Sequence, residues 1–596
     1  MNSSDTLTQL YFDAIERFGS KRAAVRYKQN DSWHDITHRE LERRVHHAAI
    51  GLMELGMQPG DRVAILSVNR PEWAIADFAC LTARCTDVPI YPTIPPKQVS
   101  YIIKDSASCA IFVSGRKQFE KISGLRNEMP RLRHVITFDP DMDDPDILSL
   151  DSLCQLGRSA ESKYTDYRDL ACRIDPDEAA TLIYTSGTTG PPKGVILTHR
   201  NIASNVEGAL QVIPIGPDDS CLSLLPLSHS FERMAGHYTM FKAGVTINYA
   251  EDMDHVPANL LEVKPTVVLS VPRLFEKIYA RVLENAMSGG SVKRRIFYWA
   301  RKTADAWADL SLSRQAIPAG LAMKKRLADA LVFSKLKART GGRIRFFVSG
   351  GAPLAPEIAR FFYAVGIPIL EGYGLTESSP VIAVNPFDAP RIGTVGQPLP
   401  GVEVRIADDG EILARGPNIM KGYYQKPDAT SEAVDHDGWL HTGDIGELDS
   451  DSYLRITDRK KDIIVTAGGK NIAPQPIENT VKTNKFVLNA MMTGDRRKFP
   501  SILIVPNVEA LEKWAAERRI LAKPDELLKQ PDVIAKIEVE VMGSLRGLAH
   551  YQMPKKILII EKDFTQEDGE LTPTLKVKRR VVEQKYADLI EELYAE

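Results

Sequence analysis

The sequence predicts an α/β protein, with a large N-terminal domain of layered α/β sheets and a smaller α+β domain behind it. Three observations carry that reading. At 596 residues the chain exceeds what one hydrophobic core usually supports. Its first hundred residues alternate between strand and helix signals, the rhythm of layered and largely parallel sheet. After Asp458 the pattern restarts with a polar turn, short strands and then helices, so the domains are expected at 1–458 and 459–596.

Thr37-His-Arg-Glu40 reads as a capping box that opens a helix with Leu41, Val45, Ala48, Ala49 and Leu52 on its apolar face. Gly56 is the expected stop. Val63-Ala-Ile-Leu66 reads as a strand, and Pro71 starts the next helix. Asp87-Val-Pro-Ile-Tyr91 and Cys109-Ala-Ile-Phe-Val113 continue the alternation. From about 287 to 340 the texture changes. Lys293-Arg-Arg-Ile-Phe-Tyr-Trp299 and Met323-Lys-Lys-Arg-Leu327 predict amphipathic basic helices in a helical insertion. One reading of their basic face is plain solvation; the other is peripheral contact with an anionic membrane surface. Beyond Asp458, Ile463-Ile-Val465 and Ser501-Ile-Leu-Ile-Val505 read as strands.

The net charge of −2, from 76 basic and 78 acidic residues, gives no reason to expect nucleic acid as a partner. Cys80, Cys85, Cys109, Cys154, Cys172 and Cys221 are scattered, without CxxC and without His at metal-ligand spacing. A disulfide framework or zinc site is therefore not expected, and a reducing cytosol fits. Met1-Asn-Ser-Ser-Asp-Thr shows no signal-peptide pattern, and no stretch reaches the roughly 18 apolar residues of a spanning helix. The expectation is a cytoplasmic protein, at most peripheral on the inner face of a membrane.

The most informative stretch is Tyr184-Thr185-Ser186-Gly187-Thr188-Thr189-Gly190-Pro-Pro-Lys193-Gly194, which follows the apolar strand Ala180-Thr-Leu-Ile-Tyr184. Hydroxyl side chains, glycines and then a lysine make a dense set of donors for phosphate oxygens, and glycine lets backbone N–H groups form an anion nest. The spacing is not that of a Walker loop. Gly194-Val-Ile-Leu197 reads as a strand, so this loop lies between two strands and can close over a triphosphate.

This loop resembles the signature of the adenylate-forming superfamily, which includes acyl-CoA synthetases, nonribosomal-peptide adenylation domains and firefly-type luciferases. Further motifs follow in the expected order to the C-terminus. Ser349-Gly350-Gly351-Ala352-Pro353 and Glu371-Gly372-Tyr373-Gly374-Leu-Thr376-Glu377 resemble the family's adenine and phosphate segments. Tyr373 beside its glycines would wall a purine, and Thr376 would offer its hydroxyl to the α-phosphate. The resemblance makes Glu377 the Mg²⁺ carboxylate, with Thr188 as a second oxygen ligand. It assigns the ribose hydroxyls to Asp444, which closes Trp439-Leu-His-Thr-Gly-Asp444, and a ribose or phosphate contact to Arg459. Lys461 falls at the interdomain hinge, and many relatives have Gly where Asp458 stands.

Leu571-Thr-Pro-Thr-Leu-Lys576 resembles the segment with the catalytic lysine, although Leu575 stands where most relatives have Gly, which leaves Lys578 as a rival to Lys576. His229, in Leu225-Pro-Leu-Ser-His-Ser-Phe-Glu-Arg-Met234, sits at the family's gate between acyl pocket and thiol channel. Lys193 and Lys576 would neutralise the phosphates.

The implied reaction activates a carboxylic acid with MgATP to an acyl-AMP, then passes the acyl group to coenzyme A while the C-terminal domain swings about Lys461. The His229 segment, the helical insertion and the Thr-Pro-Thr-Leu-Lys-Val-Lys-Arg ending look most like long-chain fatty acyl-CoA synthetases. The alternatives are a fatty acyl-AMP ligase that loads an acyl-carrier protein, and an ATP-binding regulator without activity.

Overall fold

A computed structural model describes residues 5–595, apart from 141, 143, 145, 146, 186–190, 289, 521–523 and 573–575. Two large sheets dominate the first 400 residues. One orders its strands Gly422–Tyr423, Lys193–Thr198, Ala179–Thr185, Thr86–Ile90, Arg62–Leu66, Ala110–Val113, His134–Thr137 and Ile147–Ser149. Its five pairings from Ala179–Thr185 to Ile147–Ser149 are parallel, and the two on the Lys193–Thr198 side are antiparallel. The other sheet centres on parallel strands Thr246–Tyr249, Ser220–Ser223, Val267–Ser270, Phe346–Ser349 and Ile369–Gly374. The layered α/β expectation is met.

Helix Pro71–Thr82 shows why the layers hold. All of its residues except Glu72 are buried, so it is a core helix with apolar contacts on every side. The helix His38–Glu54 starts where predicted, with the Thr37 hydroxyl accepting the Glu40 N–H at 3.1 Å. The predicted box forms only by half, because the Glu40 carboxylate turns to Arg43 and Arg44 at 2.6 and 2.7 Å. Charged donors three and four residues along the same face outcompete a neutral amide.

The 287–340 stretch is helical. Ser291–Leu312 buries Phe297, Ala300, Ala304 and Ala308 at helical spacing and exposes Lys293, Arg294 and Arg295. Ala319–Ala328 follows and runs on through a π-helical turn, Asp329–Phe333. Among the described residues no helix is long and apolar enough to cross a membrane. All six cysteines are free.

A four-stranded antiparallel sheet ends in Leu454–Arg459 and leads to a last set of elements. There Val487–Thr493, Ser501–Pro506 and Ile557–Ile559 form one sheet, flanked by helices that include Pro474–Lys482, Pro531–Ser544 and Arg579–Lys585. Among the described residues every buried apolar cluster lies wholly before Arg459 or wholly after it.

Candidate active site

The flanks of the expected phosphate loop are themselves fixed. Strands Ala179–Thr185 and Lys193–Thr198 pair with Thr185 opposite Lys193, so these two residues mark the mouth of the loop. The predicted Ser186, Gly187, Thr188, Thr189 and Gly190 lie outside the described residues. On the C-terminal flank, the Tyr101 hydroxyl donates to the Pro192 carbonyl at 3.1 Å. The Tyr184 ring covers Gly194 so closely that a Cβ there would stand 3.0 Å from it. The Lys193 ammonium lies 4.9 Å from the Tyr423 ring centroid, and the Tyr423 hydroxyl donates to Glu377 Oε1 at 2.8 Å. Lys193 and Glu377 therefore face one shared aromatic side chain.

The segments expected to frame the nucleoside lie at the carboxyl ends of two adjacent parallel strands, where open α/β sheets bind ligands. Gly350 follows Phe346–Ser349, and a Cβ on it would meet the Phe231 ring at 3.0 Å. Gly351 has φ +80, and Ala352 is exposed beside it. Gly374 ends Ile369–Gly374 under the Pro380 carbonyl, where a Cβ would come within 1.7 Å of the oxygen. Gly372 makes only ordinary contacts. The Tyr373 hydroxyl donates to Asp444 Oδ2 at 2.7 Å, and Arg459 Nε lies 3.2 Å from Asp444 Oδ1. Asp444 and Arg459 are direct partners across two antiparallel strands. Burial pushes the Glu371 carboxyl up to about 8, against one backbone N–H from Leu354.

Thr376 Oγ1 lies 3.3 Å from Ser230 Oγ, which brings the Thr376–Glu377 segment to the His229 segment. His229 Nδ1 accepts the Phe231 N–H at 3.0 Å, which leaves the proton of the neutral imidazole on Nε2. Burial, and then the charge of Lys576, hold this imidazole down at about 4. Lys576 is thus within electrostatic reach of His229. Crowding by protein, and then the Arg459 guanidinium, lower the Lys576 ammonium to about 8, while Asp444 and Asp462 oppose the shift. The residue still has an exposed surface, so it stands in a crowded cleft that remains open to water. Lys578 instead precedes helix Arg579–Lys585, its N–H tied to the Glu570 carbonyl at 2.7 Å. Lys461 is exposed in the turn that follows the strand Leu454–Arg459.

The profile of the AMP-binding enzymes matches residues 11–424, and that of the AMP-binding enzyme C-terminal domain matches residues 461–596. The chain belongs to the AMP-binding enzyme family. A long-chain-fatty-acid–CoA ligase, FadD15, of Mycobacterium bovis is 41% identical over 94% of this chain and 92% of its own. The peroxisomal long chain acyl-CoA synthetase 6 of Arabidopsis thaliana is 36% identical over 92% of this chain and 79% of its own. Among solved structures, the adenylation domain of a carboxylate reductase from Mycobacterium chelonae superposes with TM-score 0.75 at 22% identity, covering 99% of this chain and 91% of the other. An anthranilate CoA ligase bound to anthranoyl-AMP gives 0.73 at 18% identity, covering 99% and 100%. Those two likenesses show the fold.

Two polar arrangements that hold the His229 segment of this AMP-binding enzyme were not legible in its sequence. Asn69 clamps the His229 segment by donating to the Leu225 carbonyl at 2.6 Å and accepting the Leu227 N–H at 2.9 Å. Below the same segment, Arg233 is buried between Asp77 and Asp87 and donates to Thr181 Oγ1 at 2.7 Å and Tyr238 at 3.0 Å. It anchors a π-helical turn, Glu232–Tyr238, of the kind that often marks functional segments. The one sequence signal was a Glu-Arg pair inside an apolar run.

Proposed function

We propose that this chain activates a long-chain fatty acid with ATP and transfers it to coenzyme A. The observation that supports the reading is the Asp444 carboxylate held by Tyr373 at 2.7 Å and facing Arg459 at 3.2 Å, with Lys576 within electrostatic reach of that pair and of His229. In the first half-reaction a carboxylate oxygen attacks the α-phosphorus, the bond to the β-phosphate oxygen breaks, and pyrophosphate leaves. Lys193 and Lys576 offset the repulsion between these anions, and Thr376 donates to the α-phosphate. The loop Thr185–Gly190 cradles the phosphates, Gly350, Gly351, Ala352, Glu371, Gly372, Tyr373 and Gly374 frame the base, and Asp444 with Arg459 takes the ribose. In the second half-reaction the thiol sulfur bonds to the acyl carbon as its proton passes to solvent, the bond from that carbon to the AMP phosphate oxygen breaks, and AMP leaves with the bonding pair.

The Tyr423 bond occupies Oε1 of Glu377 and leaves the carboxylate a second hard oxygen, the kind of single protein ligand that suits Mg²⁺ bound through substrate phosphates. When bound, that ion would neutralise phosphate charge. Residues 1–458 then form the ATP- and acyl-binding domain, and 459–596 a domain that turns about Lys461 between the half-reactions.

The substrate test is AMP and pyrophosphate release across carboxylic acids of increasing length, with coenzyme A present. Each buried methylene contributes about 0.8 kcal/mol, so specificity should climb roughly fourfold per carbon and level off around 14–18 carbons. A preference for acetate or benzoate would end the long-chain reading. Transfer to an acyl-carrier protein in place of coenzyme A would favour the ligase alternative, which the CoA-ligase names of the relatives do not support.

A second reading concerns location. Residues 287–340 carry twelve Lys and Arg against three Asp in a chain of net charge −2. The same stretch exposes Val292 and Ile296, and Met323, Leu327 and Leu331, each group at four-residue spacing. An apolar row flanked by cations suits peripheral contact with an anionic bilayer on the cytoplasmic face. Sedimentation with anionic but not zwitterionic vesicles, abolished by Leu327→Glu, is the expected result; binding to neither would end this reading.

A further inference from the structure

Lys576 reaches the nucleotide segments only if the C-terminal elements dock against the rest of the chain. One side chain grips them at a point far from the hinge in sequence. Arg273 opens the helix Pro272–Met287, and the preceding Val271 flanks Gly351, 3.7 Å from where its Cβ would stand. The Arg273 guanidinium donates through Nη1 to the Leu488 carbonyl at 2.7 Å. Its Nη2 lies 3.9 Å from Asp563 Oδ2.

The acceptor is built for an external partner. On the strand Val487–Thr493, Val487 pairs with Pro506 and Asn489 with Val505, so Leu488 is the extra residue of a bulge. A bulged residue stands outside the ladder, and its carbonyl is free to be aimed elsewhere. Asp563 is held in turn, accepting from Asn489 Nδ2 at 3.1 Å and from the Phe564 N–H at 2.9 Å.

The contact is coupled to Lys576 through packing. Phe564 belongs to a buried apolar cluster with Met491, Leu503 and Val582, and Leu488, Leu571 and Val577 pack against that same cluster. Leu571 and Val577 bridge each other on either side of Lys576. Close-packed side chains transmit displacement, so what fixes Leu488 and Asp563 also fixes the Lys576 turn. A further ion pair among the described residues, Lys513 with Glu284, is exposed at both ends and contributes little.

We propose that Arg273 is a positioning residue for acyl-AMP formation, docking the bulge at Leu488 and the Asp563 carboxylate so that Lys576 is delivered to the nucleotide. The inference rests on Lys576 serving adenylation. A swing that withdraws Lys576 must break this contact, so Arg273 favours the first half-reaction and has no part in the second.

The test measures the half-reactions separately in the full chain, using palmitate as the acid. Arg273→Ala should slow single-turnover pyrophosphate release from ATP and palmitate, without coenzyme A, by about tenfold, the scale of one lost charge-assisted hydrogen bond. Thioester formation from supplied palmitoyl-AMP and coenzyme A should stay at the parent rate. Arg273→Lys should restore part of the loss, because an ammonium can still reach the carbonyl. Asp563→Asn, a milder change, should show the same split at smaller size. Lys576→Ala run in parallel separates the two readings. If it spares pyrophosphate release, the site assignment itself fails. If it abolishes release while Arg273→Ala leaves release unchanged, or lowers both half-reactions equally, the positioning role is overturned.

Discussion

Tyr423 donates its phenolic hydroxyl to Glu377 Oε1 at 2.8 Å, and its ring faces the Lys193 ammonium at 4.9 Å. One neutral side chain therefore touches both the acidic and the basic residue proposed to serve the triphosphate. Tyr423→Phe keeps the ring and removes the bond that aims the carboxylate. The Mg²⁺ concentration for half-maximal adenylation should rise about tenfold, the scale of a hydrogen bond to a charged group. An unchanged Mg²⁺ titration would remove Glu377 from the metal site.

Lys576 and Lys578 are separated by two positions in sequence and by environment in the fold. Lys576→Ala should cut acyl-AMP formation by about 10²-fold, the scale of losing one transition-state charge partner. Lys578→Ala should leave it near the parent rate, and the reverse pattern would exchange the two assignments. The Lys576 ammonium, lowered to about 8, is charged below that pH and neutral above it. The kcat/KM for ATP in the adenylation half-reaction reports the free enzyme and should fall as pH rises through about 8. Lys576→Arg, which stays protonated, should lose that alkaline limb.

Lys461→Pro restrains the backbone at the exposed turn between the domains. Adenylation should persist, because Lys576 is already placed, while transfer to coenzyme A collapses. Pyrophosphate release and thioester formation, measured separately, decide the matter, and equal loss of both would discard the hinge.

Glu232 is buried at the start of the π-helical turn, with Ser223 donating to one oxygen at 2.6 Å. Burial pushes its carboxyl up to about 8, against that donor. Its folded pKa lies above the unfolded value, so the stability it contributes is complete below about pH 4.5 and is lost as pH rises towards 8. Glu232→Gln lacks the titration. The stability difference between the variant and the parent chain should therefore move in the variant's favour by about 1.4 kcal/mol per pH unit across that window. Thermal unfolding of both chains at pH 5 and pH 8 measures it, and a pH-independent difference would mean that Glu232 is ionised throughout.

Much of this architecture was legible residue by residue. Alternation in the first hundred residues announced the parallel layers, Pro71 and Thr37 marked helix starts, and the order of the glycine-rich segments pointed to nucleotide chemistry. Glu40 departs from the capping-box expectation, since that box is a local pattern and the arginines that capture its carboxylate compete on the same helix face.

What the linear order could not contain is the pairing of groups distant along the chain. Sequence periodicity says which face of an element is apolar, because burial repeats every two or 3.6 residues. It does not say which distant element supplies the partner for a buried polar atom. Asp444 meets Tyr373 and Arg459 because two antiparallel strands fall into one register beside the end of a parallel strand. Arg233 finds Asp77 and Asp87 because a charge withdrawn from water must be paired, and only the packed layers bring those carboxylates under the His229 segment. Arg273 reaches Leu488 because a bulge turns one carbonyl out of its ladder. Composition and motif order thus set the chemistry of this chain, while strand register and close packing set which residues share a site, since hydrogen bonds and ion pairs form only within a few ångströms.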